Sequence, residues 1–187
     1  AIAQIKSLGA LAQQEGVAPG QVFEEIAQNA EFFAKFSKDG GDNLFKAAIE
    51  AKKLGLSFDN IVKATDALLD FETSIEKQLE ASLLIGREIN ADRARALAFS
   101  GDQVGLAQEI RNIVGTEADF LEMNVLARQS IADLLGQSVE DIARIARGEE
   151  MSAAGAAVGA QTQIVSDPEL LSTNRQIARN TRPLLDS

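Results

Sequence analysis

Histidine, cysteine, tyrosine and tryptophan are all missing from the 187 residues of this chain, and each absence closes off chemistry. Without imidazole no ordinary side chain titrates near neutral pH, and without thiols there is no thiolate nucleophile and no zinc site of the usual kind. Carboxylate pairs, Ser with Lys, or carboxylates holding magnesium would have to carry any catalysis. A structural or interaction role is therefore the expected class. No catalytic residue, cofactor-binding residue or metal ligand is assigned, and the chain is expected not to be an enzyme.

Proline is also scarce, with three residues, and long apolar runs are absent. No stretch approaches the roughly 18 apolar residues of a membrane span, and no basic region followed by an apolar run opens the chain. Basic charge is in deficit: 18 Lys and Arg against 28 Asp and Glu give a net charge of −10. That balance argues against nonspecific binding to nucleic acid phosphates, and no sequence-specific nucleic acid partner is expected. The deficit lies in residues 1–150, because 151–187 hold three basic and three acidic side chains.

What is present favours helix. Ala, Leu, Glu, Gln and Lys dominate, β-branched and aromatic residues are few, and apolar positions recur every three or four residues. The expected fold is all-α, about nine mostly short helices around one longer central helix, with a C-terminal helical tail. Glycines punctuate the elements. The first helix should run from Ile2 to Glu15 and stop at Gly16; the second should open at Pro19 with Val22, Ile26, Ala30 and Phe33 on one stripe; the third should span Asp42 to Leu54. The longer helix should follow the N-cap Ser57, with Ile61, Ala64, Leu68, Phe71, Ile75, Leu79 and Leu83 as one apolar line up to Gly86. It would reach on the order of 40 Å. Glu72, Glu76 and Glu80 form a like-charge ridge on its flank, read as a solvated face.

Helices at Ala91–Phe99 and Gln103–Val114 should pair across Ser100-Gly101-Asp102. Thr116 with Asp119, and Ser138 with Asp141, have the spacing of capping boxes and should open helices reaching Leu135 and Gly148. Three segments result: an acidic helical body over 1–150, a small-residue linker over 151–166 and a C-terminal helix over 167–187. Within the last, Leu170, Asn174, Ile177, Thr181 and Leu184 step by four and three, a short heptad register and a candidate for self-association, where Asn174 could fix oligomer state. Arg175, Arg179 and Arg182 line another face as a candidate docking stripe for an acidic partner.

Several motifs invite chemistry and have plainer explanations. Ala132, Gly136 and Ile142 have the packing skeleton of a helix-turn-helix over residues 126–148. Glu140 and Asp141, however, stand where a DNA reader needs groups that tolerate phosphate, with Arg144 and Arg147 partly offsetting them. A DNA-binding regulator is the alternative reading. Ser74-Ile-Glu-Lys77 matches the nucleophile pattern of penicillin-recognising enzymes but lacks its partner motifs. Asp39-Gly-Gly-Asp42-Asn43 lacks the register of a calcium loop, and a turn with a helix cap explains it. Gly155 and Gly159 sit in a run too short to cross a bilayer.

Taken in order, Phe36-Ser-Lys-Asp-Gly-Gly-Asp-Asn43, Ala47-Ala-Ile-Glu-Ala-Lys-Lys-Leu-Gly-Leu56, Leu68-Leu-Asp-Phe-Glu72, Glu80-Ala-Ser-Leu-Leu-Ile-Gly-Arg87, Ala94-Arg-Ala-Leu97 and Glu117-Ala-Asp-Phe-Leu-Glu-Met-Asn-Val125 resemble the C-terminal part of the tail tape measure proteins of contractile-tailed bacteriophages. The similarity covers roughly residues 17–148. It implies a structural virion protein, commonly a homotrimer of helices in the lumen of the tail tube, whose length sets that of the tube during assembly in the host cytoplasm. Its C-terminal region would be held at the tail tip by tube and baseplate hub proteins. Even a wholly helical chain of this size would reach only about 280 Å. The expectation, with Ala1 in place of Met, is the folded anchoring end of a longer polypeptide.

Overall fold

Short side chains that compete for backbone hydrogen bonds decide where this chain turns. The computed structural model describes residues 2–148, with side chains from Lys6 onward. The helices are α1 (Ile2–Gln14), α2 (Pro19–Gln28), α3 (Ala30–Phe36), α4 (Asp42–Lys53), α5 (Phe58–Leu69), α6 (Phe71–Ile85), α7 (Asp92–Ser100), α8 (Gln103–Val114), α9 (Glu117–Glu122), α10 (Val125–Leu134) and α11 (Val139–Arg147), with a 3₁₀ turn at Asp39–Gly41 before α4. The described residues contain no strand, so the fold is all-α as expected. None of these helices is long and apolar enough to cross a membrane.

Both predicted capping boxes form, and the predicted N-cap at Ser57 closes into a third. Ser57 Oγ accepts from Asn60 N while Asn60 Oδ1 accepts from Ser57 N. Thr116 with Asp119, and Ser138 with Asp141, are built the same way. Each box satisfies two N–H groups that a helix start would otherwise leave open.

Three expected helices are each broken in two. The breaks fall at Asn29, between α2 and α3; at Asp70, between α5 and α6; and at Asn124, between α9 and α10. Asn29 Nδ2 donates back to Glu25 O at 2.9 Å, Asp70 Oδ1 accepts from Thr73 N at 3.4 Å, and Asn124 Oδ1 accepts from Ala127 N at 2.9 Å. Asn and Asp offer the backbone an alternative to the continuing ladder. The apolar spacing runs on across these positions, which is why the periodicity alone passes over them. The expected 40 Å helix is thus two helices, the longer of them 15 residues.

The core gathers around α5. Phe58, Ile61, Ala64, Thr65 and Leu68 are fully buried, and α5 packs against α2, α4, α6, α7 and α8. Leu44, Leu56, Leu106 and Ile110 are also fully buried, and each such side chain contributes about 1.5–3 kcal/mol of transfer free energy. Polar ties cross this core. Buried Lys52 of α4 pairs with Glu25 of α2, whose Oε2 accepts from Phe58 N at 2.9 Å, so one carboxylate joins three helices.

The turn between α10 and α11 is fastened to the start of α5. Asn60 Nδ2 donates to Gln137 Oε1 at 2.7 Å, and Gln137 Nε2 donates to Asn60 O at 2.9 Å. Gly136 sits here at φ 62°, and a Cβ on it would lie 2.9 Å from Lys63 O. Only glycine allows both the left-handed turn and this approach. Residues 149–187, including the linker over 151–166, the candidate register Leu170, Asn174, Ile177, Thr181 and Leu184, and the stripe Arg175, Arg179 and Arg182, lie outside the described residues.

Candidate interaction surface

Helix α6 is amphipathic the wrong way round for a helix packed on a core. Its buried residues are Ser74 and Ala81, with half-buried Gln78 between them. Spacing of four and three puts these three on one face, which meets α10 and α5. Small side chains there let the helices approach closely. The face is fixed by a polar clamp from α7: Arg95, itself buried, donates from Nη1 to Ser74 Oγ at 3.0 Å and from Nη2 to Gln78 Oε1 at 2.6 Å, and also pairs with Asp92.

The large apolar side chains of α6 point outward. Phe71, Ile75, Leu79 and Leu83 are 46, 47, 59 and 83% exposed, whereas Ile61, Ala64 and Leu68, upstream on the same expected line, are fully buried. The expected single apolar line from Ile61 to Leu83 is split at Asp70, buried before it and exposed after it. The new helix axis that begins there lets the Ser74–Ala81 face take the inner position. Phe99, at the end of α7 and 74% exposed, extends the apolar row, its ring 6.4 Å from that of Phe71. Leu121, Val125 and Leu126 form a second exposed apolar group at the α9–α10 corner.

Alongside the apolar row runs the acidic one. Glu72, Glu76 and Glu80 are exposed, as the solvated-face reading expected, and none forms an ion pair with another described residue. Like charges four apart on a helix repel, costing about 0.2–0.5 kcal/mol per pair. A cleft of about 260 Å³ opens between the end of α6 and the α9–α10 corner. Arg87, Asp119 and Glu122 give it a mixed-charge lining beside Leu84 and Met123.

The other motifs have structural occupations. Ser74, first residue of the Ser-x-x-Lys pattern, is buried and its hydroxyl is engaged by Arg95. Asp39 and Gly40 turn the chain before α4, and Asn43 closes the turn by accepting from Lys38 N at 2.7 Å and donating to Phe36 O at 2.8 Å. A Cβ on Gly41 would meet the Phe33 ring at 2.6 Å, so the double glycine serves turn and packing together. Among the described residues no group of three acidic side chains is placed to hold a metal ion.

The α10–α11 hairpin has the packing its sequence predicts, with Ala132 and Ile142 buried on either side of Gly136. Its basic groups are largely committed. Arg144 pairs with Asp141, and Arg128 donates to Phe120 O and Leu121 O while lying over the Phe120 ring at 4.5 Å. Glu140 is exposed at the start of α11. Partial burial pushes the Asp141 carboxyl up, but hydrogen bonds from the Ser138 hydroxyl, Arg144 and Ser138 N, with the Arg144 charge, outweigh it and hold its pKa below the ordinary Asp value. The Asp119 carboxyl is likewise lowered, by the Thr116 hydroxyl and backbone N–H.

The sequence pattern grouped Phe71, Ile75, Leu79 and Leu83 on one line with Glu72, Glu76 and Glu80 on its flank, and it missed both Phe99 beside them and the role of Gln78 on the inner face. The signal that could have shown the exposure is the run Ser74, Gln78, Ala81, a second helical face small and polar enough to pack. No protein-family model, no curated protein and no solved structure matches this chain.

Proposed function

We propose that this domain is a structural assembly protein, the C-terminal part of a tail tape measure protein that anchors at the baseplate hub of a contractile tail. In this reading it acts by being held, through itself and through tube and hub proteins, in the virion and not by transforming a substrate. The observation that supports it is the exposed apolar row Phe71, Ile75, Leu79, Leu83 with Phe99. Apolar rows of this kind, rimmed by charge, mark surfaces that a partner covers. The absence of imidazole and thiol from the sequence and the ordered resemblance of residues 17–148 point the same way.

The direct test is to locate the segment in an assembled particle. A tag inserted at the exposed Gly86 turn should be seen at the tail tip by electron microscopy, and a particle in which it lies elsewhere, or from which it is missing, would remove the reading. The Ala132–Gly136–Ile142 skeleton, with Ala132 and Ile142 buried, keeps a DNA-binding regulator as the alternative. Titration with duplex DNA at low salt separates the two: a regulator binds with an affinity that falls steeply as salt rises, and an anchoring domain barely binds.

A further inference from the structure

We infer that the outer face of α6 is a docking site for a basic amphipathic helix of a partner polypeptide, one with apolar side chains at spacing three and four and Lys or Arg along one flank. The inference rests on the reading that the domain is held in an assembly, but not on which assembly that is.

Three observations carry it. The apolar row Phe71, Ile75, Leu79 and Leu83 steps by four along one helix, so the shape it offers is a linear ridge about 18 Å long, which another helix matches by packing its own ridge alongside. The acidic row Glu72, Glu76 and Glu80 runs parallel to it and meets no cation among the described residues, so repulsion built into the helix is left standing until a cation arrives. The inner face is locked by Arg95 through Ser74 and Gln78, so α6 cannot roll to bury its large side chains without losing that clamp.

The same charge selects among occupants. A second copy laying its own α6 on this one would bring two acidic rows together, and an anionic bilayer would be repelled by the same carboxylates. A helix with a basic flank gains both the apolar contact and the relief of the Glu row.

The chain has no Trp or Tyr, so a synthetic helical peptide of about 18 residues carrying one Trp supplies the only indole signal in a titration against the full chain. Two peptides are used, identical in their Leu row and differing in a Lys or a Glu flank. The Lys-flanked peptide should bind at least about tenfold more tightly than the Glu-flanked one, with an affinity that weakens as salt is added. Leu79→Ser should weaken it about thirtyfold, and the triple change Glu72→Gln, Glu76→Gln, Glu80→Gln should abolish the discrimination between the peptides. Unchanged helicity by circular dichroism certifies both variants as folded, which is expected because every altered side chain is exposed.

Equal binding of the two peptides, or binding that survives both variants, overturns the proposal. A drop in oligomer mass on Leu79→Ser, with no effect of the peptide on that mass, also overturns it and assigns the face to a second copy. Failure to find the domain at a tail tip would sink the tape measure reading and leave this result standing.

Discussion

Helices α5 and α6 share one apolar periodicity and have opposite fates. In α5 the line Ile61, Ala64, Leu68 is wholly buried; in α6 its continuation Phe71, Ile75, Leu79, Leu83 faces out, and the helix is held instead by Ser74, Gln78 and Ala81. The sequence signal of the two is the same. What differs is the surroundings: α5 meets five other helices, while α6 is gripped along one side by α10 and by the Arg95 clamp. Periodicity states which residues share a face, and the neighbours decide which face goes inside.

The contrast can be broken most severely from its buried half. Leu68→Ala should cost about 2–5 kcal/mol in chemical denaturation, because it empties space at the centre of the core. A loss under about 1 kcal/mol would mean that α5 is less central than its burial implies. Next in size is Gln137→Ala, which strips the Asn60 amide of its acceptor and should cost about 1–3 kcal/mol as an unpaired buried group. Asp70→Ala removes the side chain that starts α6, and an N-cap loss of about 1 kcal/mol is expected. If the helicity of the variant rises, the break itself, and not only the cap, belongs to Asp70.

The effect of pH is smaller. Because the folded pKa of Asp141 is depressed, its contribution is complete above the ordinary Asp value of 3.8 and is lost as pH falls through the lowered one. Asp141→Asn should flatten the acid limb of the stability profile below about pH 4, and an unchanged limb would show that the Ser138 and Arg144 contacts do not persist in solution. The smallest effect belongs to the exposed half of the comparison: Leu79→Ser should change stability by no more than about 0.5 kcal/mol. A loss as large as that of Leu68→Ala would mean that Leu79 is covered in the free domain.

The local half of this structure was legible in the residues. The N-cap at Ser57 and the capping boxes at Thr116 and Ser138 were readable because cap and partner lie within three positions of each other, and the all-α class followed from propensity and spacing together. The hairpin skeleton Ala132, Gly136, Ile142 was legible because its spacing of four and six is still local. Breaks at Asn29, Asp70 and Asn124 were not, since apolar spacing continues through each and Asn or Asp inside a helix often points harmlessly to solvent. The apolar and acidic rows of α6 were legible in their membership, but neither the place of Phe99 beside them nor the exposure of the apolar row was. That exposure depends on Arg95 reaching back 21 and 17 residues to Ser74 and Gln78 and on α10 lying beside α6, and neither is written in a local pattern.

The outward row on α6 also governs how free molecules treat one another. Each carries an adhesive strip, yet at a net charge of −10 two copies approaching at low ionic strength are pushed apart before the strips can touch. Salt shortens that repulsion to about 8 Å at physiological strength and about 3 Å at 1 M, so contact between copies through this face is expected to rise with salt, the reverse of copies joined by ion pairs.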